Sequence, residues 1–197
     1  MASPILVTPP AVSPVTLAEA KAALDISYSE KDVEIQGLID GVTAWLDGWN
    51  GTLGGRCLCE QTWREEFEAF SNCMRLELLP IISATITYKD SAGQDQTVEA
   101  ANYVIREDEK GAYVEFVSGF SAPTMSSEVA RPLSIQYVAG YEADSDVLPL
   151  PKNIKSAILL LVRMLFDNPS GAVIGATVDS LPFGPKALLM SAVRMRV

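Results

Sequence analysis

Three cysteines and a short run of carboxylates are the residues best suited to chemistry in this 197-residue chain. Cys57 and Cys59 stand one residue apart, with Cys73 further on. Thiolates so placed could begin a metal site, but a tetrahedral centre needs more ligands, and the chain has no histidine to supply one. The same lack removes the usual general base of neutral pH. Glu65, Glu66 and Glu68 could pair for acid–base work. Strand alternation, however, puts Glu66 and Glu68 on one face and Glu65 on the other, which reads as solvated surface. Gly51-Thr52-Leu53-Gly54-Gly55 is glycine-rich but has no lysine and follows no strand, so it lacks the parts of a phosphate loop. No Gly-x-Ser-x-Gly elbow or dinucleotide fingerprint is present. Trp45, Trp49 and Trp63 are expected as core or interface anchors. The expectation is a chain with no catalytic residue, cofactor or metal.

The elements that would carry these residues change character along the chain. Residues 1–14 are rich in proline and small side chains and read as an extended arm. Thr16 and Glu19 form a capping box at the start of a first helix. Ser29 is expected to cap a second, whose apolar face is Ile35, Leu38, Ile39, Val42, Leu46 and Trp49, ended by Asn50-Gly51. The period then shortens to two. Trp63, Glu65 and Phe67 alternate with polar neighbours, and so do Arg75 to Leu78. Thr85 to Tyr88, Tyr103 to Ile105, Tyr113 to Val117 and Ser134 to Val138 are rich in β-branched and aromatic residues. Residues 118–132 read as a loop. A helix resumes with Ile154, Ala157, Ile158, Leu161, Val162 and Leu165 on one face, widened by Leu159, Leu160 and Phe166. Asn168-Pro169 stops it. Residues 172–178 are uncharged, and a last helix opens near Pro185.

Helices flanking a block of short strands predict an α+β fold: a bundle of N- and C-terminal helices with an inserted antiparallel sheet or small sandwich. The expected segments of this single domain are an arm at 1–14, helices at 15–53, the β insertion at 61–141, a core helix at 151–168, and a flexible segment with a C-terminal helix at 169–197. The net charge is −10 and 48% of residues are hydrophobic. Such acidity disfavours binding to a phosphate backbone. It is uneven: residues 1–151 hold 9 basic and 23 acidic side chains, residues 152–197 hold 6 and 2. A basic C-terminal segment suits an acidic partner surface. No secretory signal and no run of roughly 20 apolar residues is seen, so reduced thiols and no membrane partner are expected.

Several short stretches carry a resemblance in a fixed order. They are Pro14-Val15-Thr16-Leu17-Ala18-Glu19-Ala20-Lys21, Gln61-Thr62-Trp63, Leu79-Pro80, Tyr137-Val138-Ala139-Gly140-Tyr141, Pro151 with Ile154 to Leu160, and Leu181-Pro182-Phe183-Gly184. Together they resemble the head–tail connector (adaptor) proteins of tailed bacteriophages and phage-like gene transfer agents. The chain departs from that pattern at Gly51 to Cys59, where the family passes more directly from the second helix to Gln-Thr-Trp. The resemblance implies a structural protein and not an enzyme. It implies a homo-oligomeric ring of about twelve subunits in the neck of a particle assembled in the bacterial cytoplasm. The ring would sit between the portal protein and the stopper protein, with DNA passing through its channel without specific binding. It also implies portal docking by the C-terminal helix, where Leu188, Leu189, Val193, Arg194 and Arg196 are the expected contact residues. The alternatives are another neck protein (a stopper or tail terminator) and a small cytosolic binding module. The flanking helices favour the adaptor, since the rival neck proteins are expected to be mostly β.

Overall fold

Thr16 and Glu19 begin the first helix as their spacing requires. The Glu19 amide donates to Thr16 Oγ1 at 3.2 Å, and the Thr16 amide donates to Glu19 Oε2 at 3.0 Å. A computed structural model describes residues 3–142, 147–168 and 183–194. The chain forms two compact units. The described residues of Met1–Ala11 and Glu60–Gly140 make a β unit, and those of Val12–Cys59 and Tyr141–Met195 make a helical unit. The class is α+β, with antiparallel sheets, as the sequence pattern requires.

The helical unit holds α1 (Leu17–Leu24), α2 (Asp32–Leu46), α3 (Lys152–Asp167) and α4 (Phe183–Met190). Asp25, at φ 59°, closes α1 in the left-handed region. Ser29 does not cap α2 with its side chain. Lys31 holds the N-cap position, and the Ser29 carbonyl accepts from the Asp32 amide at 3.1 Å. Nor does α2 reach Trp49. It ends at Leu46, because Asp47 turns extended and its carboxylate accepts the Leu58 amide at 2.6 Å across the following loop. Ile35, Ile39, Val42 and Leu46 of α2 pack with Ile154, Ala157, Ile158, Leu161 and Val162 of α3 in one core. Leu160 lies 44% exposed, so α3 is not apolar-buried all round. The Lys155 ammonium, 2.5 Å from Glu19, together with the Thr16 amide holds the Glu19 carboxyl below its ordinary range.

The β unit contains β1 (Ile5–Thr8), β2 (Gln61–Phe67), β3 (Cys73–Arg75), β4 (Ile81–Lys89), β5 (Asp95–Thr97), β6 (Tyr103–Asp108), β7 (Gly111–Phe116) and β8 (Leu133–Ala139). They make a five-stranded sheet of order β1-β2-β8-β4-β5 and a three-stranded sheet of order β3-β7-β6, with every pairing antiparallel. The expected arm thus contains a strand: Ile5–Thr8 pairs with β2. Its prolines lie outside those four residues, where the lost amide costs no ladder bond.

Strand β2 buries Gln61, Trp63, Glu65 and Phe67 on one face. Glu65 is therefore not solvated surface; it is 1% exposed. Two large apolar neighbours at i−2 and i+2 fix which face turns inward, and the carboxylate follows them. Its Oε1 accepts the Tyr137 hydroxyl and the Glu77 amide, the latter at 2.9 Å. Glu66 lies on the outer face, 3.5 Å from Arg64, and Glu68 is exposed. In the second sheet Arg75 forms a two-pronged bond to Asp108, at 2.9 and 2.7 Å, and lies over the Tyr113 ring.

Two outcomes follow. Tyr137→Phe leaves the buried Glu65 short of a donor and should lower unfolding free energy by about 1–3 kcal/mol, read as a shift of the urea midpoint. The Arg75 guanidinium holds Asp108 at a pKa of about 2, against an ordinary 3.8. A carboxyl depressed on folding stabilises above its unfolded pKa and loses that contribution as pH falls toward its folded one. A carboxyl-detected NMR titration should place the Asp108 midpoint near 2, and Arg75→Gln should move it up toward 3.8.

Candidate functional site

The glycine-rich loop between α2 and β2 is a built structure. The Thr52 amide donates to the Trp45 carbonyl at 3.0 Å and the Gly48 amide to the Arg56 carbonyl at 2.9 Å. Leu53, Cys57 and Leu58 are buried at 1% exposure or less. The loop thus folds back on α2 and contributes to the helical core.

Its outer rim receives the C-terminal helix. A helix end leaves four carbonyls without intrahelical partners, and its negative pole favours cations. Here Arg56 Nε donates to the Ala192 carbonyl at 3.0 Å, and the Asn153 side-chain amide donates to the Leu188 carbonyl at 2.9 Å and to Ser191 Oγ at 3.1 Å. The Arg194 amide donates to the Leu53 carbonyl at 3.2 Å. Arg56 is itself fixed by donating to the Tyr141 hydroxyl at 2.5 Å. Leu189 and Ala192 complete the seat from below, at 4% and 6% exposure. At Gly54, with φ +72°, an added Cβ would lie 2.1 Å from the Arg194 carbonyl oxygen, so only glycine allows the loop this close to the helix end.

The structure sorts the five residues expected at a docking surface. Leu189 belongs to the core, and Leu188 is partly buried against it. Burial removes Leu189 from any surface a partner could touch while α4 is seated, and leaves Leu188 at its margin. Val193 is 45% exposed, beside Met190 at 68%. Arg194 is half-buried and engages the loop through its main chain. Arg196, like residues 169–182, lies outside the described residues. Met190 carried no signal in the sequence, since a single methionine in an apolar helix does not declare its side.

The other sequence candidates are scattered. Cys57 and Cys59 are buried, and Cys73 is exposed on β3. Among the described residues no group of three or more His, Cys, Asp or Glu could hold a metal. Trp63 is core, with Nε1 donating to Gln61 Oε1 at 3.1 Å, while Trp45 is 42% exposed. No helix among the described residues is long and apolar enough to cross a membrane.

Two open clefts lie on the β unit. One, of about 590 Å³, covers the outer face of the larger sheet over Arg64, Thr85, Thr87, Ser134 and Gln136. These are cross-strand neighbours on the polar face of the register. The other, of about 610 Å³, is lined by Val104, Phe116, Val117 and Phe120, with the Arg106–Glu115 ion pair at its side. Phe116 and Phe120 stack at 4.4 Å between centroids, and Phe70 meets both edge-on or tilted. Sequence reasoning passed over this cleft because residues 118–132 have no periodic pattern.

No protein-family model matches the chain, and no curated protein does. Solved structures do share its fold. A chain in the neck of an empty GTA particle computed with C6 symmetry superposes with a TM-score of 0.75 at 20% identity, covering 100% of this chain and 97% of that one. A chain in the virion of a native gene transfer agent (GTA) particle gives 0.74 at 19%, with the same coverage. A chain in the neck of a native GTA particle computed with C12 symmetry gives 0.64 at 20%, over 98% and 97%.

The seat of α4 is testable by itself. Gly54→Ala should destabilise the helical unit by about 1–3 kcal/mol through backbone strain and the forced retreat of the helix end. Amide hydrogen exchange should show the Arg194 amide losing protection before the α2 and α3 amides do.

Proposed function

We propose that this chain is a structural adaptor in the neck of a tailed phage or phage-like gene transfer particle. It forms a ring between portal and stopper and extends the DNA channel. The observation that carries this reading is the end-to-end fold likeness to chains of GTA necks, which covers 100% and 98% of this chain. The ordered sequence resemblance from Pro14 to Gly184 supports it independently. Particles computed with six- and twelve-fold symmetry contain repeated copies around an axis, which supports a ring for this chain as well. The net charge of −10 suits a channel wall that repels passing DNA and does not hold it. No step of chemistry is required of such a protein, and the buried Glu65 already has hydroxyl and amide donors inside the sheet.

Portal docking falls to the outward side of α4. Met190 at its end and Val193 just beyond it are exposed apolar side chains, and Lys186 is an exposed cation on the same helix. Leu189 acts from inside by seating the helix, and Leu188 borders the contact.

Deleting the gene in the producing cell should give filled or leaking heads without tails under the electron microscope. Normal tailed particles would reject the adaptor reading. The docking side has a finer test. Met190→Glu with Val193→Glu should weaken binding to purified portal by about tenfold or more, ~1.4 kcal/mol, with the melting temperature unchanged. Truncation after Ser180 is the blunter experiment, because it also strips Leu189 and Ala192 from the core.

A further inference from the structure

Strand β1 buries none of its side chains in the chain's own core. All four are exposed, with Ile5 at 42% and Leu6 and Val7 at 45%. Main-chain pairing to β2 holds it, through Ile5↔Arg64, Leu6↔Trp63 and Thr8↔Thr62, with a register shift between Leu6 and Thr8. Its far side is the open edge of the five-stranded sheet. The opposite edge is guarded: β5 is three polar residues, and its Asp95 is paired with Lys89 at 2.8 Å. An apolar, unguarded edge on one side only invites one more strand there.

Charge says what kind of partner fits. The first eighteen residues carry no charged side chain, in a chain of net charge −10. Two copies of so acidic a protein repel over most of their surface, and an uncharged edge is where they can meet without that cost. The cleft over Val104, Phe116, Val117 and Phe120 offers an apolar floor, bordered by Asn72, Ser118 and the Arg106–Glu115 ion pair. Val104 is 46% and Val117 39% exposed, and β6, which carries Val104, is an outer strand of its sheet among the described residues. An added strand there gains main-chain hydrogen bonds and buries alternate side chains against the aromatic pair.

We propose that β1 of one copy docks alongside β6 of the next, filling its Val104–Phe120 cleft. The proposal rests on the ring reading and names its subunit contact. Edge-to-edge pairing of two β1 strands would be two-fold and would stop at a dimer; strand into cleft is head-to-tail and can close by rotation.

The test uses particles from producing cells that carry Leu6→Cys and Val104→Cys with Cys73→Ser, oxidised and run without reductant. The double variant should give a ladder longer than dimers, and each single variant none. Tailed particles whose double variant stays monomeric overturn the strand-into-cleft contact while leaving the adaptor reading intact. Dimers from Leu6→Cys alone overturn it in favour of paired edges. Normal tails after gene deletion would instead sink the adaptor reading. Should the cysteine variants fail to assemble, Leu6→Asp decides. Folded to the wild-type melting temperature, it should enter particles at least tenfold less than wild type; normal incorporation overturns the contact.

Discussion

The pairing of Gln61 with Ala139 is the constraint on which the rest of the molecule depends. It is the last rung of a seven-residue antiparallel ladder between β2 and β8, and it sets the two ends of the insertion side by side. The chain leaves the helical part at Cys59 and rejoins it at Tyr141. Residues far apart in sequence, Leu46 before the insertion and Leu161 after it, can therefore share one core. The rung also fixes faces. A slip of one residue would turn Trp63, Phe67, Ile135 and Tyr137 outward and drive Arg64 and Gln136 inward. β4 pairs the other side of β8 from Ile81↔Ala139 to Tyr88↔Leu133, so the central strand is held in register from both flanks.

What the sequence shows of this is the pattern of local period. The face of α3 from Ile154 to Val162 and the capping box at Thr16 are legible because each depends on residues three or four apart. Glu65 is not, because its partner Tyr137 lies 72 residues away and alternation assigns a face without saying which face is buried. β1 escapes for a different reason: four residues between prolines, all exposed, leave no burial pattern to detect. Ser29 fails as a cap because the chain supplies a main-chain acceptor at the same place. The glycine-rich loop is the hardest case, since its bonds run to Trp45, Arg56 and Arg194, near and distant alike, with no repeat among them.

The charge asymmetry also changes meaning once the contacts are known. Of the basic residues after position 151, Lys155 is engaged with Glu19, and Arg163 donates to the Ala23 carbonyl at 2.8 Å with Asp25 and Asp167 both 3.7 Å away. These are contacts within the helical unit, and such half-exposed pairs contribute about 0–1 kcal/mol each. The local excess of positive charge therefore serves in part to join α3 to the start and end of α1. The side chains exposed at the end of α4, Met190 and Val193, are more apolar than a count of lysines and arginines implies.

That follows from how α4 is held. Its terminal carbonyls are bonded by Arg56 and Asn153, and the amide beyond them donates to Leu53. Leu189, Ala192 and part of Leu188 pack into the helical core, and Pro185 is buried as well. Main-chain acceptors are the same whatever residue carries them. Met190 and Val193, both exposed, are not among the residues of that core. The glycine-rich connection at Gly51 to Cys59 is what provides Leu53 and Arg56 at the right height. A shorter passage from α2 to β2 would leave the end of α4 with orphan carbonyls and would need another way to keep the helix in place.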